Sequence, residues 1–285
     1  RAVQALRQPG SAFKPIVYLA GLDAGLTPDT VLRDEPITID NWSPSNFKNE
    51  YLGDMTMSEA LARSINTVAV KVSERAGRAN VQTMAQKLGI THSLIDAPSL
   101  ALGVSEVSVL EMTAAYGTFA TGGLGVWPYA ISEIQDANGK PIYIRSGGGP
   151  GRVIPAGYAG AMNSMLSKVI ESDTGTGKSA RLGRPAAGKT GTSQDYRDAW
   201  FIGYTPQIVT GVWMGNDNNA AMKGVTGGNL PAKLWHDFMV KATAGMQVVA
   251  LPDAPLTRGE ASPDTTGEQA VKSFFENMLD TLFGN

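Results

Sequence analysis

Between residues 189 and 214 the hydrophobic pattern changes period, and no other feature narrows the possible folds as much. Segments 189–192, 199–204 and 208–214 are short and rich in β-branched and aromatic residues, with Thr205-Pro206 as a turn between the last two. They read as successive strands of an antiparallel sheet. Before and after them the apolar spacing is helical. Ile16, Leu19, Ala20 and Ala24 recur at that spacing until Gly25 offers a C-terminal cap. Thr56-Met-Ser-Glu59 and Ser108-Val-Leu-Glu111 read as capping boxes, each a hydroxyl followed three residues later by a carboxylate. Further helices are expected over 68–76, 81–88, 156–170 and 229–241, and Asn138-Gly139 joins 129–135 to 141–144 as a hairpin.

Residues 25–49, rich in Pro, Asp and Asn, read as a long connection running over the surface. Residues 251–285 read as a mobile tail with one short amphipathic segment at 271–283. At 285 residues and 42% hydrophobic, the chain can bury a sizeable core within 1–250. The 24 Lys+Arg against 26 Asp+Glu leave no global field favouring nucleic acid or a membrane surface. Cysteine is absent, which removes disulfides, zinc-thiolate sites and cysteine nucleophiles together. No apolar run approaches the ~18 to 20 residues of a membrane span. The first residues lack an initiator methionine and a signal peptide's apolar core, so a fragment of a longer protein is expected.

The chemistry begins in Arg7-Gln-Pro-Gly-Ser-Ala-Phe-Lys-Pro15. Pro9-Gly10 is turn punctuation and a helix follows, so Ser11 and Lys14, three apart, share a face. A serine hydroxyl hardly ionises at neutral pH, and a lysine can act as its base once burial or nearby cations lower its pKa. The helix start adds unpaired N–H groups where negative charge would develop. A second Ser-x-x-Lys, Ser45-Asn-Phe-Lys48, lies in a turn-rich stretch where residues three apart need not face each other. Lys189-Thr190-Gly191-Thr192 opens the first strand. A cation, a gap left by glycine and two hydroxyls would let a substrate backbone lie alongside, its carboxylate held by Lys189, Thr190 and Thr192.

Ser11-x-x-Lys14, Ser64-Ile-Asn66 and Lys189-Thr-Gly191 occur in the order found in penicillin-binding proteins and related β-lactamases. Over roughly residues 1–245 the chain resembles the transpeptidase domain of a class A, bifunctional penicillin-binding protein. The resemblance extends through Met57-Ser-Glu-Ala-Leu-Ala-Arg-Ser-Ile-Asn66, Ala187-Gly-Lys-Thr-Gly-Thr192, Asp198-Ala-Trp-Phe-Ile-Gly-Tyr-Thr-Pro206 and Thr226-Gly-Gly-Asn229. It implies an α+β fold, an antiparallel sheet flanked by helices, working outside the bacterial cytoplasmic membrane without cofactor or metal.

The implied reaction is DD-transpeptidation of peptidoglycan stem peptides. Ser11 would attack the penultimate D-alanine carbonyl and pass the acyl group to an amine of a neighbouring stem. Lys14 would be the base, Ser64 a proton relay, and Asn66 a holder of Lys14 and of the substrate amide. Backbone N–H groups of Ser11 and Thr192 would form the oxyanion hole. Lys189 would tune the field, Thr190 and Thr192 would bind the terminal carboxylate, and β-lactams would leave Ser11 acylated. DD-carboxypeptidation would be a side reaction. The family also has an N-terminal helix and strands that complete the sheet, so 1–250 is expected to lack these. Its glycosyltransferase domain and membrane anchor are expected only in the full-length protein.

Other readings compete. Gly183-Arg-Pro-Ala-Ala-Gly-Lys-Thr190 matches the P-loop string, yet a polar, Gly-rich stretch precedes it and a strand-like one follows. A β-lactamase or β-lactam sensor on the same fold would need a placed base for deacylation, and no carboxylate is identified by spacing. A catalytically idle scaffold fits the intact motif set less well. Trp200, Tyr204 and Trp213 read as sheet core. His92 and His236, far apart in sequence, do not suggest a Ser-His-Asp triad or a metal site.

Overall fold

The computed structural model describes residues 1–145, 147 and 149–257. Its chain starts with a two-residue strand, β1 (Leu6–Arg7), and a 3-10 turn, Gly10–Phe13, before α1 (Lys14–Asp23). Every α1 residue from Lys14 to Leu22 is buried, the pattern of a helix that others surround. Gly21 is where a neighbour comes nearest, since a Cβ there would lie 2.7 Å from Val72 Cγ1.

The stretch 25–49 is more than a surface connection, because β2 (Val31–Asp34) pairs antiparallel with β3 (Gly53–Thr56). Both capping boxes form. Glu59 N donates to Thr56 Oγ1 at 3.2 Å and Thr56 N to Glu59 Oε2 at 3.0 Å, opening α2 (Met57–Arg63). Next come α3 (Asn66–Ala76) and α4 (Arg78–Lys87), separated by Gly77 at φ +85°. Strand β4 (Val107–Ser108) pairs with β1 across about a hundred residues of sequence, and Ser108 caps α5 (Val109–Ala120) in the same reciprocal way as Thr56. The hairpin forms with its first arm shorter than expected, β5 (Glu133–Gln135), and its second as expected, β6 (Pro141–Ile144).

After α6 (Ala156–Glu171) the three expected strands appear as β7 (Ala187–Thr192), β8 (Asp198–Tyr204) and β9 (Val209–Gly215), antiparallel in the order β7-β8-β9. All of β8 is buried. Its side chains alternate between faces, as a pleated strand requires. Trp200, Ile202 and Tyr204 join the large core with α1, α3, α5 and α6, while Phe201 joins a smaller cluster with Trp235 of α7 (Leu230–Ala242). Phe201 and Trp235 meet edge to face at 5.2 Å, and Trp235 Nε1 donates to Gly203 O at 3.1 Å. Trp200 and Tyr204 are thus core, as expected, and Trp213 is half-buried with the Arg7 guanidinium 4.8 Å above its ring.

The tail reading needs one correction. Residues 251–257 lie along α6, where Asn163 Nδ2 donates to Pro252 O at 2.8 Å. Gly157 and Gly160 make room for them, since a Cβ on Gly160 would come within 2.3 Å of Ala254 O. Helical periodicity does not register such glycines, which is why the segment read as free. The amphipathic stretch 271–283 lies outside the described residues.

Candidate active site

Four elements converge beneath the end of β7. The 3-10 turn carries Ser11, which is partly exposed, and the first α1 residue is Lys14, which is fully buried. Ser64 caps α2 in the left-handed region (φ +61°, ψ +39°), and after one extended residue Asn66 opens α3. Lys189, also fully buried, comes from β7.

Lys14 Nζ donates to Asn66 Oδ1 at 2.6 Å, to Ser64 O at 2.7 Å and, more loosely, to Ser64 Oγ at 3.4 Å. Lys189 Nζ donates to the same Ser64 Oγ at 2.8 Å and to Thr190 O at 3.1 Å. The Ser64 hydroxyl therefore sits between two amines, its own proton free to point elsewhere. Ser11 Oγ has no hydrogen-bond partner among the described residues, and no carboxylate there bonds Lys14, Ser64 or Lys189. Burial, then the Lys189 charge, hold the Lys14 amine well below its ordinary pKa. Burial alone lowers Lys189 to about 7.

This has a consequence for stability. A lysine whose folded pKa lies below its unfolded one leaves the unfolded chain holding more protons, so stability rises with pH across the interval. For Lys189 that interval runs from about 7 to 10.5. Lys189→Met is expected to remove ~1.4 kcal/mol per pH unit from the slope of unfolding free energy between about pH 7 and 9.5, below tyrosine ionisation. Urea titrations of both chains at several pH values measure this, and equal slopes would refute it.

The backbone geometry depends on two glycines. A Cβ on Gly10, which sits at φ +54°, would lie 2.7 Å from Thr192 O and 3.1 Å from Thr192 N. Ser193 N donates across to Asp198 O at 2.9 Å, and successive strand amides point opposite ways. Thr192 N–H therefore leaves β7 on the side of the Gly10–Ser11 turn. Gly191 corrects the sequence reading. The space left by its missing side chain is filled by the chain's own turn, since a Cβ there would lie 2.3 Å from Pro9 O and 3.0 Å from Ala12 N. Gly191→Ala must push the turn off β7 and is expected to cost about 1–3 kcal/mol of unfolding free energy, measured by urea denaturation.

The threonines also have partners in the chain. Thr190 Oγ1 shares a hydrogen bond with Thr176 Oγ1 at 2.8 Å, and Thr192 Oγ1 accepts from Gly227 N at 3.0 Å, leaving its own proton to donate. The second Ser-x-x-Lys has no helical face, as Lys48 stands at φ +62°. It nonetheless reaches the site, because Ser45 O accepts from Asn66 Nδ2 at 2.7 Å. Thr176, Gly227 and the Ser45-Asn46 segment are contacts the sequence did not reveal. The P-loop reading ends here: Gly188, Lys189 and Thr190 lie inside β7, which continues into another strand rather than a helix.

The family profile described as penicillin binding protein transpeptidase domain matches residues 1–239. Penicillin-binding protein 1A of Rickettsia prowazekii (strain Madrid E) is 36% identical over 267 residues, covering 84% of this chain and 34% of that protein. Penicillin-binding protein 1A from Haemophilus influenzae superposes with a TM-score of 0.80 at 28% identity, over 88% of this chain and 44% of the other. PonA1 from Mycobacterium tuberculosis in complex with penicillin V gives 0.81 at 25% identity, over 92% and 76%. The chain spans about a third of the length of the curated relatives it matches.

Proposed function

The chain belongs to the penicillin-binding protein transpeptidase family, and on that premise we propose that it is a serine DD-transpeptidase that cross-links peptidoglycan stem peptides and is acylated by β-lactams. The observation that carries this reading is the Ser64 hydroxyl held between two buried, pKa-lowered amines, one of them three residues from Ser11. The penicillin V complex of PonA1 supports the β-lactam half of it.

Ser11 Oγ attacks the carbonyl carbon of the penultimate D-alanine while its proton passes to neutral Lys14. The developing oxyanion accepts from Ser11 N–H and Thr192 N–H, a donor of this kind contributing roughly 3–4 kcal/mol. As the C–N bond to the terminal D-alanine breaks, the proton returns from Lys14 through Ser64 to the leaving amine. An amine of a second stem then attacks the ester, forming the cross-link and restoring the Ser11 hydroxyl. Thr190 and Thr192 donate to the terminal carboxylate, with the Lys189 charge nearby. In a β-lactam the broken C–N bond is in the ring, so the leaving group stays attached and the ester persists. This chemistry belongs outside the cytoplasmic membrane, and no helix among the described residues is long and apolar enough to cross one.

Intact mass after incubation with benzylpenicillin tests the reading. One adduct, mapped to the peptide bearing Ser11 and lasting for hours, is the expected result, and the lifetime separates it from a β-lactamase. A folded chain that gains no mass would refute it.

A further inference from the structure

Behind the α3 N-terminus lies a buried polar chain that the reaction scheme does not use. Asp34, at the end of β2, is 2% exposed. Its Oδ1 accepts from Asn46 Nδ2 at 2.6 Å and from the Thr67 hydroxyl, and its Oδ2 accepts from Leu52 N at 2.9 Å. Asn46, 6% exposed, also donates to Glu50 O at 3.1 Å. Its Oδ1 accepts from Asn66 N at 2.9 Å and Thr67 N at 3.3 Å.

These contacts fix the Asn46 amide one way round, because only its NH2 group can face a carboxylate and only its oxygen can face two N–H donors. The neighbouring carbonyl, Ser45 O, is thereby presented to Asn66 Nδ2 at 2.7 Å. With its nitrogen engaged there, Asn66 turns its oxygen to Lys14 Nζ at 2.6 Å. The path from Asp34 to the Lys14 amine is continuous.

We propose that Asp34 and Asn46 are positioning residues for acylation: by fixing the Ser45 carbonyl and the first turn of α3 they orient the Asn66 amide, and so hold the Lys14 amine where it takes the Ser11 proton. This rests on the function proposed above. A network that merely filled the core would affect folding and leave the folded enzyme's chemistry intact.

The test uses the 285-residue chain as it stands and a fluorescent penicillin. Stopped flow separates noncovalent affinity from the acylation rate constant, and thermal melts give the folded fraction. Asp34→Asn turns a donor toward groups that now donate, and is expected to slow acylation by about 10- to 100-fold with affinity little changed, the range associated with small misplacements of reacting groups. Asn46→Asp sets a second carboxylate against Asp34 and should act similarly. Adding Asp34→Asn to it restores a donor–acceptor pair and is expected to recover about tenfold.

Folded Asp34→Asn that acylates within about twofold of wild type would overturn the proposal, as would a loss in affinity alone or one matching the unfolded fraction. If Asp34→Asn does not fold, Thr67→Val, which removes one donor to the same carboxylate, is judged by those criteria. A wild-type chain that forms no adduct would instead overturn the transpeptidase reading, and this proposal with it.

Discussion

Ser11→Ala incubated with benzylpenicillin is expected to keep its native mass after hours, while the wild-type chain gains one adduct. The loss is complete rather than partial, because the ester cannot form without the oxygen. Other site residues alter a rate, whereas this one supplies the bond. Ser11 is partly exposed and its Oγ has no hydrogen-bond partner among the described residues, so its removal leaves no partner unpaired. The unfolding free energy is accordingly expected to stay within about 0.5 kcal/mol of wild type. The combination of unchanged stability and absent adduct identifies a nucleophile. An adduct surviving in Ser11→Ala would move the nucleophile elsewhere and dissolve the roles given to Lys14 and Ser64.

Lys14→Met is expected to slow acylation by about 10²- to 10⁴-fold, the range for loss of a positioned general base. Methionine fills the same buried channel without an amine, so what is lost is the proton acceptor. Asn66 Oδ1 and Ser64 O each lose a donor, which destabilises. Against this, the lowered pKa of Lys14 means that at neutral pH the unfolded chain binds its proton more readily than the folded one, a penalty that disappears with the amine. The two effects oppose, and thermal melts are expected to stay close to wild type. In the unmodified chain the same base gives the acylation rate an acid limb below 10.5, since Lys14 must be neutral to act. Lys189→Met removes the neighbouring charge and should carry that limb to higher pH. Acylation of Lys14→Met within tenfold of wild type would exclude Lys14 as the base.

What the sequence makes legible follows from range. The capping boxes at Thr56 and Ser108 are readable because donor and acceptor are three residues apart. Strands β7 to β9 are readable because consecutive segments pair with each other. Ser11 and Lys14 are legible because a turn opens into a helix there, and Lys189 because it lies in a strand-like run, whereas Ser64 and Asn66 are named only through the resemblance that the ordered motif set carries. The β1–β4 pair is two residues long with partners a hundred apart, and no local pattern announces it. Asn46 stands inside the second Ser-x-x-Lys, in a turn-rich stretch with no chemistry of its own to read. Its importance comes from Asp34 on one side and the α3 amides on the other, which only the folded chain brings together. In the sequence Gly191 reads as room for a substrate, and in the fold it is room for the Pro9–Ala12 turn. A glycine tells a reader that something comes close, but not what.

At Ser64 the backbone and the chemistry want different residues. A left-handed conformation costs a non-glycine residue roughly 1–2 kcal/mol, and glycine would occupy φ +61° without that cost. Glycine, however, has no oxygen to stand between the two lysines. Ser64→Gly would relieve the backbone while taking an acceptor from the buried Lys189 amine, so the hydroxyl that carries the proton path also offsets part of the strain it imposes. The strain stored at that one residue marks a limit on how far robustness can be raised while the hydroxyl is kept.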